Sequence, residues 1–196
     1  MEDFRLQYAQ EYVDEVIRLL SEMKEDIAAQ MDRFATILLQ ARESKKSIFI
    51  MGNGGSGSTA SHFVCDLGKG TIVEGFPRFK VIALTDNIPT MLAWANDSNY
   101  EDVFVEQLKN LFEPGDIAIG FSGSGNSKNV IRAMEYANEN GGTTIGISGY
   151  DGGLLMKTAQ ENLHVPSFNM QQVEDIHMLI VHLLTSIIRD EQKQQQ

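Results

Sequence analysis

A chain of 196 residues with 42% hydrophobic and 22% charged content reads as one globular domain, able to bury its own core without a disulfide or metal staple. The formal net charge of −11 and pI of about 4.7 argue against a nucleic-acid partner, which needs a basic stripe, but not against a small anion held by local N–H groups. A single cysteine, Cys65, excludes an intrachain disulfide; with no span-length apolar run and an acidic start, MEDFRLQ, the expectation is a cytoplasmic protein without a membrane partner.

Residues Asp3 to Gln40 hold no Gly or Pro, and Tyr12, Val16, Leu19, Leu20, Met23, Ile27, Met31, Phe34, Ile37 and Leu38 recur near a 3.6 period. This predicts one long helix or two in tandem, longer than a small sheet can cover, so region 1–43 is also a candidate for packing between subunits. The core, 44–190, opens with the strand Ile48–Met51. Gly52–Ser58 follows as a loop, then a helix with Ser56 or Ser58 as candidate N-caps and His62, Cys65 and Asp66 along it. Lys69–Pro77 reads as a loop and Phe79–Leu84 as the second strand. Pro89 starts a helix through Trp94, Asn96-Asp97 breaks it, and Glu101–Leu111 continues as another. Ile117–Phe121 is the third strand, Ser122–Ser127 a second Ser/Gly loop, and Lys128–Asn140 a helix stopped by Gly141-Gly142. Thr143–Ile147 is the fourth strand, Leu154–Ala159 a short helix and Asn162–Val165 the fifth strand. The last helix spans about Gln171–Arg189, before a polar tail expected to fray.

Apolar runs alternating with helices predict an α/β fold: a doubly wound parallel sheet between helical layers. Ligands of such sheets bind at the carboxyl ends of the strands, where both Ser/Gly loops fall. Strand, glycine loop and helix together aim backbone N–H groups at an anion, usually a phosphate. In the second loop, the Ser122, Ser124 and Ser127 hydroxyls and the N–H groups of Gly123, Gly125 and Asn126 suit a phosphate monoester; an ordinary cap and turn is the alternative. Neither loop matches GxxxxGK[ST] or GxGxxG, so no nucleotide cofactor is expected.

His62 and Asp66 share one helix face at i,i+4, and Glu174 and His182 share a stripe of the last helix. Two histidines and two carboxylates could hold one divalent ion such as zinc, or act without metal as acid and base. A first-turn acid pair and a satisfied core histidine are the bland alternative. Cys65 and His164 read as structural, with Cys65 a buried thiol.

The runs GNGGSGSTASHF, ANDSNYEDVF, GFSGSGNSKNV, GISGYDGG and VEDIHMLIVH resemble the sugar isomerase (SIS) family, and within it the phosphoheptose isomerase group, over nearly the whole chain. The resemblance implies a five-stranded, flavodoxin-like αβα sandwich in one domain and a homotetramer with active sites at subunit interfaces. It implies isomerisation of sedoheptulose 7-phosphate to D-glycero-D-manno-heptose 7-phosphate. Asn53, Gly54, Gly55, Ser56, Asp97, Ser122, Gly123, Ser124 and Ser127 would line the sugar-phosphate pocket. Asp66, Glu174 and His182 would be catalytic, and His62, Asp66, Glu174 and His182 would hold zinc. The chain departs from the family pattern at four places: Asp66 stands for Glu, Glu174 for Gln, Gln171 for Asp, and Gly68-Lys69-Gly70 for TGR. Either the substrate-binding Arg is then missing or its role passes to Lys69. A non-catalytic sugar-phosphate-binding scaffold, or an isomerase of another sugar phosphate, is the alternative expectation.

Overall fold

The computed structural model describes residues 2–194. Helix α1, Glu2–Glu43, is a single unbroken element of 42 residues. It leads into β1, Ser47–Met51, and α2, Gly54–Cys65, which closes in a π-helical turn at Asp66–Gly70. Next come β2 (Lys80–Ala83), α3 (Ile88–Asp97), a 3₁₀ turn (Tyr100–Asp102) and α4 (Val105–Leu111). The rest is β3 (Ile117–Ser122), α5 (Lys128–Glu139), β4 (Thr143–Ser148), α6 (Leu155–Thr158), β5 (Glu161–His164) and α7 (Met170–Gln194).

The five strands are all parallel, in the order β2-β1-β3-β4-β5. The order reverses between β1 and β3, so the switch-point crevice lies between the loops that follow those two strands. Period-two alternation divides the core. Ile48 and Ile50 of β1 pack with α1, α2 and α7, while Phe49 and Met51 pack with α4, α5 and α6. Burial on both faces explains why β1, β3 and β4 read as continuous apolar runs; the edge strands β2 and β5 are only partly buried.

Several local expectations need correction. Asn53, not Ser56 or Ser58, is the N-cap of α2; the first helical position, Gly54, takes a left-handed φ of +52, which a glycine tolerates. Asn96 and Asp97 lie inside α3, which ends at Ser98. Residues 101–111 split into a 3₁₀ turn and a short helix. Lys69 belongs to the π-helical turn rather than to a loop. The last helix runs past the expected stop at Arg189 to Gln194, and Gln192 beyond that stop is still buried. Cys65 is exposed, pointing away from the core that α2 covers with Ala60 and Phe63.

Candidate functional site

The loop after β3 is built to be stiff. Ser122 and Ser127 join hydroxyl to hydroxyl at 2.9 Å, so Ser127, the N-cap of α5, makes no side-chain cap bond. Gly125 sits at φ +67 and donates its N–H to the Ser122 carbonyl at 2.9 Å. A Cβ at Gly125 would come within 2.5 Å of the Gly152 carbonyl carbon, so this position admits no side chain. Asn126 ties the loop together, donating to the Ser124 carbonyl at 2.9 Å and accepting from the Leu154 N–H at 3.1 Å. The loop is thus tied on both sides at the carboxyl end of β3, where α5 begins. That suits a phosphate.

The loop after β1 is held differently. Asn53 and Asn129 exchange amide hydrogen bonds at 2.9 and 2.8 Å, and the Tyr100 hydroxyl donates to Asn53 Oδ1 at 2.9 Å. Gly54 and Gly55 are exposed and Ser56 is buried. The Glu174 carboxylate rests on Gly55, where a Cβ would lie 2.6 Å from its Cδ. A carboxylate there meets the positive end of α2 favourably.

One turn and more down α2, three groups converge. His62 Nε2 lies 2.9 Å from His182 Nε2 and 3.4 Å from Asp66 Oδ2, and ligand atoms of all three lie within 4.8 Å of one another. Helices α2 and α7 run side by side in the same direction, since Gly55 meets Glu174 as His62 meets His182. Glu174 therefore does not join the triad as the sequence reading expected. It stands eight residues, about 12 Å, along α7 from His182. Two imidazole nitrogens on one tetrahedral zinc stand about 3.3 Å apart, close to the spacing seen here. Three protein ligands with a fourth position open fit a catalytic ion.

The remaining expected residues lie further out. Asp97 is exposed and accepts from Asn96 at 2.7 Å; Lys69 is exposed beside Asp66 in the π-helical turn; Gln171 is exposed at the start of α7. Gly123 packs under Met170 and Val173, bringing the second loop against the α7 N-terminus. Three groups were missed in the sequence: Asn129, Tyr100, and the Ser61–Thr85–Asp86 cluster that lines a cavity of 440 Å³ with Asn53 and Gly54. The carboxyl-end rule could have flagged Thr85 and Asp86, which follow β2. His177, also passed over, is buried on α7. Burial pushes its imidazole down to about 4, against an opposing hydrogen bond at 3.2 Å to the Ser148 carbonyl.

Comparison with known proteins bears on this geometry. The family model of the SIS domain matches residues 11–149. The phosphoheptose isomerase of Trichlorobacter lovleyi is 35% identical over 88% of this chain and 87% of its own length. That of Aquifex aeolicus is 34% identical over 92% and 96%. Among solved structures, the phosphoheptose isomerase of Francisella tularensis superposes with a TM-score of 0.88 at 28% identity, covering 95% of this chain and 98% of that one. The enzyme from Neisseria gonorrhoeae gives 0.86 at 28% identity, covering 93% and 97%.

Proposed function

Because the chain belongs to the SIS-domain phosphoheptose isomerase family, we infer that it is an aldose–ketose isomerase converting sedoheptulose 7-phosphate to D-glycero-D-manno-heptose 7-phosphate. The observation that carries the mechanism is the meeting of α2 and α7 at His62, Asp66 and His182, beside the rigid loop after β3. The phosphate sits on the cradle of Ser122, Ser124 and Ser127 in that loop.

The Asp66 carboxylate takes a proton from C1 of the ketose, giving the enediol, and returns a proton to C2. His182 moves the remaining proton from O1 to O2, so no atoms are gained or lost. His62, hydrogen-bonded to His182, fixes that ring's orientation. Where a divalent ion such as zinc is bound, His62, Asp66 and His182 would hold it, and it would polarise the sugar carbonyl. The exposure of His62 and His182 supports a site completed by another copy, in a homotetramer. One cysteine in the chain supports a cytoplasmic location.

Incubation with sedoheptulose 7-phosphate, followed by NMR, tests the reading. Wild type should generate an aldose phosphate, and His182→Ala should lose about 10²–10⁴-fold in rate. Absence of conversion by wild type would return the chain to the scaffold alternative.

A further inference from the structure

We propose that Asn129 is a positioning residue for this reaction: it fixes which end of the Asn53 amide faces the sugar phosphate, and Tyr100 locks the choice. The inference rests on the isomerase reading for its substrate, but its geometry is independent of the chemical step.

Asn129 lies in the first turn of α5, two residues after the last serine of the cradle, and is 2% exposed. Its Oδ1 accepts from the Val130 backbone N–H at 2.9 Å. That oxygen assignment is forced, because an amide NH₂ in its place would face a donor. With Oδ1 so fixed, Asn129 must accept from Asn53 Nδ2 and donate its own Nδ2 to Asn53 Oδ1. An exchanged amide pair alone could flip as a unit; the backbone of α5 removes that freedom. Tyr100 adds a second donor to the same Asn53 oxygen at 2.9 Å. The 3₁₀ turn carrying Tyr100 is itself strapped over α5, through Lys128 and Arg132 on Glu101 and Arg132 on Asp102 at 2.6–2.9 Å.

The consequence is chemical. Both acceptor directions of Asn53 Oδ1 are filled, and one of its two Nδ2 hydrogens is used. What Asn53 has left to offer the crevice is a single N–H donor, the group that suits a sugar or phosphate oxygen. A flipped Asn53 would offer a carbonyl instead and repel those oxygens. Asn129 also links the loop after β1 to the helix that carries the phosphate cradle, so the two halves of the switch point move together.

The test is a double-mutant cycle on Asn53→Ala and Asn129→Ala, with Tyr100→Phe as an exposed, conservative third variant. KM and kcat for sedoheptulose 7-phosphate are measured, together with its calorimetric affinity and the thermal midpoint of each variant. Asn129→Ala alone should raise KM and weaken binding about tenfold, with kcat within about threefold of wild type. In the Asn53→Ala background the same change should add less than about twofold, since the group it orients is gone. Tyr100→Phe should raise KM by about two- to fivefold without moving the midpoint. Equal losses from Asn129→Ala in both backgrounds, or a loss confined to kcat, would overturn the proposal. The calorimetric cycle reads the coupling even if wild type shows no turnover, in which case the isomerase reading fails and the positioning is still judged.

Discussion

Two imidazole nitrogens 2.9 Å apart can share a proton or share a cation. When both rings are neutral, one must donate and the other accept, so the Asp66 carboxylate 3.4 Å from His62 favours a proton on that nitrogen. With an ion between them, both lone pairs point inward. Protein purified without chelator should carry about one zinc per chain by elemental analysis, and His62→Ala should carry almost none. Full turnover by metal-free wild type would confine the triad to proton transfer. This triad was legible in the sequence for a simple reason: His62 and Asp66 are one helical turn apart, and periodicity reports that directly. Glu174 was misplaced for the converse reason. Sharing a stripe with His182 says nothing about the two full turns between them. Asn129 carried no signal, because a buried amide earns its meaning from partners 76 residues away.

Helix α7 bears the chemistry on one side and the core on the other. Its His177 is driven below its ordinary range first by burial, with the Ser148 carbonyl pulling weakly the other way. The folded imidazole stays neutral down to about pH 4, whereas the unfolded one takes a proton below about 6.5. The unfolded chain therefore binds more protons between those values, and stability falls as pH drops through that window, by roughly 3 kcal/mol in all. Thermal unfolding from pH 7 to pH 4 should show this loss, and His177→Gln, which keeps a donor for Ser148, should flatten the curve. A wild-type midpoint unchanged across that range would contradict it. Elements this apolar were easy to read. Where the reading slipped, at the start of α2 and through 96–105, glycine conformation and a 3₁₀ turn decided the outcome, and neither has a strong periodic trace.

Across the molecule, α1 is the outlier. At 1.5 Å per residue its 42 residues extend about 63 Å, well past the sheet. From Leu19 onward it packs into the core and Tyr12 still reaches Asp175 of α7, but Leu6, Val13 and Ile17 line one face of the earlier turns at 61%, 55% and 56% exposure. Such a stripe calls for a second copy, and sedimentation of wild type should report about four chains per particle. The double substitution Val13→Glu, Ile17→Glu should yield smaller species and at least tenfold lower turnover, if sites are completed across copies. A monomeric wild type with full activity would sink that arrangement. A different consequence follows from the parallel pairing of α2 and α7. His62 is matched with a residue 120 positions later, so a ribosome has made most of the chain before the pair can form. Nascent protein can complete its sheet at β5, yet the triad is assembled only when its closing helix emerges and docks.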